Sequence, residues 1–203
     1  MALGPNLEPS VMSACLPPRL ALVGLRGAGK TSVGRRVAES TGAAFIDLDE
    51  RIADAAGMSR AGEVIERRGL AAFRSLEREH LAQVTAEPRR LVLSTGGGAV
   101  EDEGSRQLLR TAFVTIWLRA PLKVLIERVR ADESDAAGAA LRPSILSAEG
   151  HPEFVDAGSL EAEFALLAER RTPLYREVAR RAVDVESLDP QEIAGRVKEI
   201  WLG

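Results

Sequence analysis

The run Leu20-Ala21-Leu22-Val23 is continuously apolar, and it leads through Gly24 into Leu25-Arg26-Gly27-Ala28-Gly29-Lys30-Thr31. A short, unbroken apolar run ending in glycine reads as a strand buried on both faces, which a parallel sheet covered by helices provides. Past Lys30 the pattern turns helical over 30–41, with Val33 and Val37 four residues apart. Strand, glycine-rich turn and helix in this order commit the chain to an α/β architecture before any other segment is read.

Residues 24–31 also match G-x-x-x-x-G-K-[ST], and each residue type has a physical reason. Glycines let backbone N–H groups curl around phosphate oxygens without Cβ clashes. The helix that follows turns its positive N-terminus toward the same anion. Lys30 supplies charge for the β- and γ-phosphates, and the Thr31 hydroxyl is placed to ligate Mg²⁺. Lysine is scarce: only Lys30, Lys123 and Lys198 among 27 basic residues. With these frequencies the pattern arises by chance in roughly two chains per thousand, so a merely structural glycine turn is the weaker reading. Gly27, Ala28, Gly29, Lys30, Thr31 and Ser32 are the candidate binding residues for a nucleoside triphosphate.

The alternation continues along the chain. Strands are expected at 20–24, 43–46, 90–95, 111–118 and 182–185. Helices are expected at 49–56, 60–67 and 70–86, from Pro121 to about 130, at 159–181, and from the Asp189-Pro190 cap to near Leu202. The fold class that follows is α/β: a five-stranded parallel sheet with helices on both faces, as a single domain over 20–203. Residues 131–158 are rich in Ala, Gly, Asp, Ser and Pro without a sustained period. A loop of that length inside a compact domain is usually functional, and it is read as a mobile lid. Residues 1–19 carry four prolines, no basic residue before Arg19 and no apolar core. They fit neither a secretory signal nor a transit peptide and are read as a disordered N-terminal tail.

Composition removes several function classes. Lys plus Arg is 27 against 30 Asp plus Glu, a net charge of -3, which argues against a nucleic-acid partner. No apolar run approaches the roughly 18 residues of a membrane helix. The lone Cys15 excludes an intramolecular disulfide and a cysteine metal cluster, so a reducing compartment, the cytoplasm, is expected.

Other residues gather around the loop. Asp47 and Asp49, at i and i+2, share a face at the carboxyl end of the second strand, where open α/β sheets bind ligands. One of them could hold Mg²⁺ through water while the other holds or deprotonates an acceptor hydroxyl; the bland alternative is that Asp49 caps the next helix. Arg74 and Glu77 are spaced to pair on one helix face. Gly96-Gly97-Gly98 follows the third strand, where it serves either a tight turn or the close approach of a ligand to backbone. His80 and His151 read as solvated, Trp117 and Trp201 as packing residues, and Tyr175 as packing on its helix.

Taken together, GLRGAGKTSVGR (24–35), FIDLDERI (45–52), FRSLE (73–77), STGGGAV (94–100), RP (142–143) and RRTPLY (170–175) resemble the shikimate kinase family, in the nucleoside-monophosphate-kinase-like branch of P-loop folds. The resemblance implies a three-layer P-loop sandwich and transfer of the γ-phosphoryl group of ATP to the 3-hydroxyl of shikimate, a step toward aromatic amino acids. It implies that Lys30 binds phosphate, Thr31 and Asp47 are the Mg²⁺ partners, and Asp49 bonds shikimate hydroxyls and acts as base. Arg74 and Arg171 would clamp the substrate carboxylate with Glu77 orienting Arg74, and Gly96, Gly97 and Gly98 would line the substrate pocket. Arg142 would be the lid arginine reaching the phosphates, with Arg128 and Arg130 as the alternatives. A monomer is implied as well. Two competing functions are a related kinase for another small hydroxylated acid or sugar, and a regulatory module that binds nucleotide without turnover.

Overall fold

A computed structural model describes residues 19–135 and 160–203. Five strands form one sheet: β1 (Arg19–Val23), β2 (Ala44–Asp47), β3 (Leu91–Ser94), β4 (Val114–Arg119) and β5 (Arg181–Asp184). All pairings are parallel and the order is β2-β3-β1-β4-β5. Every residue of β1 and β3 is buried. Side chains along a strand alternate between faces, so both faces of the central sheet must be covered by helices.

The helices are α1 (Lys30–Thr41), α2 (Leu48–Ala55), α3 (Ala61–Arg68), α4 (Leu70–Thr85), α5 (Glu103–Ala112), α6 (Leu122–Asp135), α7 (Leu160–Val178) and α8 (Pro190–Leu202). Helix α1 packs on α8 and against β1 and β3, whereas α5 and α7 pack on each other and against β4. The core between them is built from Leu20, Leu22, Val33, Val37, Leu93, Ile116 and Val197 and includes both tryptophans. Helix α8 opens with a full capping box between Asp189 and Glu192, with Pro190 in the first turn, as the sequence predicts.

Several boundaries differ from expectation, each for a local reason. Arg19, assigned to the tail, is the first residue of β1; it is buried and donates to the Glu87 carbonyl at 2.8 Å. The expected strand at 111–118 begins only at Val114, because Thr111 and Ala112 complete α5, a helix the apolar pattern concealed. Its signal was the Asp102 cap, whose carboxylate accepts from the Ser105 amide at 2.7 Å. Helix α6 runs five residues past its expected end, through Ala131–Asp135, so the irregular stretch cannot begin at 131. The rest of the expected lid, with Arg142 and His151, lies outside the described residues, as does the tail to residue 18.

The sheet order fixes where chemistry can occur. From β1 the chain crosses over β3 to reach β2, and later passes to the other side of β1 to form β4 and β5. The carboxyl end of β1 is therefore the point where strand order reverses, and the glycine-rich turn leaves from it.

Candidate active site

Gly24 through Gly29 wrap the end of β1 with Gly27 at φ 78° and Gly29 at φ 82°, left-handed values that favour glycine. A Cβ at Gly27 would also lie 2.7 Å from the Leu125 carbonyl oxygen. Gly29 is the N-cap of α1, so no side chain satisfies the first amides of that helix, and no acidic residue lies in its first turn. Such an end suits an anion. Lys30 Nζ donates to the carbonyls of Gly24 at 2.9 Å and Leu25 at 3.1 Å, folding the ammonium back over the loop. Gly27, Ala28, Gly29, Lys30, Thr31 and Ser32 all line one cavity of about 760 Å³.

Register brings the next group in. Asp47 on β2 pairs with Ser94 on β3, and Ser94 with Leu22 on β1. Thr31 donates from Oγ1 to Asp47 Oδ2 at 2.7 Å and stands 3.3 Å from Ser94 Oγ. Ser94 was not singled out from sequence; its signal is its place as the last residue of β3, beside the loop. Asp47, not Asp49, caps α2: its Oδ1 accepts from the amides of Asp49 at 3.1 Å and Glu50 at 3.3 Å. Asp49 is already in the first turn of that helix, so the two carboxylates reach the cavity from a strand end and a helix start rather than from one strand face.

A network of arginines and carboxylates adjoins the cavity. Arg74 donates from Nη1 to Glu77 Oε2 at 2.8 Å, the expected pair, and from Nη2 to Glu101 Oε2 at 3.0 Å. Arg171 donates from Nε to Glu101 Oε1 at 3.1 Å and from Nη2 to Glu101 Oε2 at 3.3 Å. Both Glu77 and Arg171 occupy apolar stripes: α4 buries Phe73, Glu77, Leu81 and Val84, and α7 buries Phe164, Leu167, Arg171, Tyr175 and Val178. A charge placed at helical spacing among core residues is a signal of function that could have been read from sequence alone. Burial pushes the Glu77 carboxyl up to about 7, with Arg74 opposing and Asp49 adding to the rise. Burial works the same way on Glu101, but Arg171, Arg74 and Arg170 outweigh it and hold that carboxyl below the usual range.

The glycine triplet sits where these groups converge. A Cβ at Gly96 would lie 2.7 Å from both Asp49 Oδ1 and Glu77 Oε1, and one at Gly98 would collide with the Arg74 guanidinium. Gly97 lines the cavity with Arg171, and its carbonyl accepts from Tyr175 Oη at 2.5 Å. Tyr175 is buried and stacks on Trp117 at 5.8 Å between ring centroids, so its part is to hold the triplet rather than to face the cavity. Burial raises the tyrosine pKa well above its ordinary value, which keeps the phenol a donor.

The described residues place the loop, Asp47, Asp49, Gly97 and Arg171 on the cavity, with Arg74, Glu77, Gly96 and Gly98 packed beside those groups but not in its lining; Arg142 lies outside the described residues. Of its alternatives, Arg128 lines the cavity and donates to the Val185 carbonyl at 2.7 Å, whereas Arg130 is tied to Glu161 at 2.6 Å. His80, read as solvated, is half-buried with Nδ1 enclosed.

The family model for shikimate kinase matches residues 26–201. A shikimate kinase of Stenotrophomonas maltophilia is 39% identical over 169 residues, 83% of each chain. The solved shikimate kinase of Acinetobacter baumannii, in complex with shikimate, superposes with a TM-score of 0.73 at 29% identity, covering 91% of this chain and 92% of that one. The shikimate kinase of Bacteroides thetaiotaomicron gives a TM-score of 0.72 at 29% identity, covering 90% and 97%.

Proposed function

The chain belongs to the shikimate kinase family, and we propose that it transfers the γ-phosphoryl group of ATP to the 3-hydroxyl of shikimate, giving shikimate 3-phosphate and ADP. The observation that carries this reading is that one cavity joins the phosphate loop to Asp49, Gly97 and Arg171. A nucleoside triphosphate and a small hydroxylated acid can therefore meet in it.

Phosphoryl transfer asks little covalent chemistry of a protein, so positioning and charge neutralisation do most of the work. The loop amides and the α1 N-terminus cradle the phosphates. Lys30 moves from the loop carbonyls to the β- and γ-phosphate oxygens and neutralises charge that builds there. Asp49 accepts a hydrogen bond from the acceptor hydroxyl and takes its proton as the new O–P bond forms and the bond from γ-phosphorus to the bridging oxygen breaks. Arg74 and Arg171 hold the substrate carboxylate, for which a guanidinium fork is shaped. Gly97 leaves room for the ring, Gly96 and Gly98 leave room for the Asp49, Glu77 and Arg74 side chains to close in beside it, and Glu77 orients Arg74.

Thr31 Oγ1, Asp47 Oδ2 and Ser94 Oγ converge as hard oxygen donors, and among the described residues no cluster of three or more acidic, His or Cys groups forms a closed metal cage. That donor set fits Mg²⁺, which keeps waters and takes the rest of its ligands from phosphate. Thr31 and Asp47 would hold it, where it would supply charge to the phosphates. We propose a monomer, as the resemblance to the family implies. No helix among the described residues is long and apolar enough to cross a membrane; we place the reaction in the cytoplasm, with ATP.

The test is Arg74→Ala. Removing a charged, bidentate partner of the substrate carboxylate should raise KM for shikimate by about 10²-fold while KM for ATP stays near wild type. Unchanged shikimate kinetics would remove Arg74 from the clamp.

A further inference from the structure

Glu101 follows the glycine triplet on the 3₁₀ turn Ala99–Glu101 and has no role in the reaction described above. Its carboxylate nevertheless touches both clamp arginines, through Arg74 Nη2 at 3.0 Å, Arg171 Nε at 3.1 Å and Arg171 Nη2 at 3.3 Å. Arg170 stands 3.5 Å away. We propose that Glu101 is the positioning residue of the carboxylate clamp, bracing two guanidiniums from different helices into one fork. The proposal rests on the reading of Arg74 and Arg171 as that clamp.

Three observations support it. First, Arg74 comes from α4 and Arg171 from α7, and the Arg171 side chain is 2% exposed. Two guanidiniums brought together in a partly dry site repel, and an anion placed between them removes that repulsion. Second, the contact is made on the Nε–Nη2 edge of Arg171. The Nη1 corner is turned the other way, where a Cβ on Gly97 would lie 3.4 Å from it. Arg171 and Gly97 line the cavity and Glu101 does not. Arg74 is not part of that lining either, so the distinction is made at Arg171: Glu101 takes its Nε–Nη2 edge, and the Nη1 corner lies on the Gly97 side. Third, Glu101 is itself anchored: its amide donates to the Gly98 carbonyl at 2.9 Å, and its own carbonyl accepts from Arg106 Nη1 at 3.2 Å. A fork held in shape before binding loses less freedom when the substrate arrives.

The clamp grips the carboxylate rather than the reacting hydroxyl, so losing the brace should weaken binding more than chemistry. In steady-state assays with Mg·ATP and shikimate, Glu101→Ala should raise KM for shikimate about 30-fold, with kcat within about 3-fold of wild type and KM for ATP unchanged. Glu101→Gln keeps the shape, loses the charge and should fall between; Glu101→Asp restores the charge and should recover part of the loss. Thermal melts of each variant separate this split from a general loss of folding. Unchanged KM for shikimate in Glu101→Ala and Glu101→Gln overturns the proposal. A lowered KM also overturns it, since Glu101 would then compete with the substrate carboxylate, and so does a fall in kcat that tracks only a lower melting temperature. Wild-type protein that releases no ADP with shikimate would sink the underlying assignment, and the brace with it; active wild type with indifferent Glu101 variants sinks the brace alone.

Discussion

Lys30 and Glu77 carry the clearest residue-scale consequences. Lys30 is the only lysine in the loop, and among the described residues no second ammonium lines the cavity to take its place. Lys30→Ala should lower kcat by at least about 10²-fold with the fold intact, the scale seen when one charge-stabilising donor is removed from a reacting centre. Turnover near wild type would refute the phosphate-loop assignment. Glu77 sets a pH dependence. Its folded pKa, about 7, lies above the ordinary 4.5, so the folded state keeps a proton that the unfolded chain releases between those values. Stability present below pH 4.5 is lost as the pH rises toward 7. Glu77→Gln removes this titration, and its melting temperature should change less with pH across that window than wild type does. Equal slopes for the two proteins would show that Glu77 does not titrate there. Glu101, held low by its arginines, acts in the opposite window: its contribution is lost only as pH falls below the ordinary carboxylate range.

At the scale of elements, the glycine triplet and its neighbours explain how four segments share one site. Gly98 has no room for a side chain because the Arg74 guanidinium occupies that space. Since the obstructing atoms are the far end of a flexible side chain, Gly98→Ala should fold with little loss of stability yet push Arg74 aside, raising KM for shikimate about 10-fold. A KM unchanged by that substitution would mean Gly98 does not set the position of Arg74. Elements also mark the limit of what sequence alone conveys here. The phosphate loop and the α8 cap were legible because their signals are local: a few residues in fixed spacing. Asp47 and Asp49 both line the cavity but do not share a strand face, since the strand ends at Asp47 and the helix has begun by Asp49. Helix α5 was hidden because the apolar run at 113–118 drew residues 111 and 112 into the strand. Glu101 gave almost no signal, because its partners lie 27 and 70 residues away and only the folded sheet brings them together.

For the whole molecule, the order β2-β3-β1-β4-β5 places the loop after β1, Asp47 at the end of β2 and Ser94 at the end of β3 beside one another. The five-stranded sheet itself followed from strand–helix alternation, because apolar runs of four to six residues have few other ways to be buried. On the proposed reading, this arrangement selects a small hydroxylated carboxylic acid as phosphoryl acceptor, and shikimate is that acid. The most direct test is a coupled ADP-release assay with Mg·ATP and, separately, shikimate, quinate and gluconate. The clamp and the glycine-lined pocket predict release that depends on shikimate, with kcat/KM at least about 10-fold above the other two acids. Equal use of all three, release with another acceptor only, or ATP binding without any turnover would contradict it.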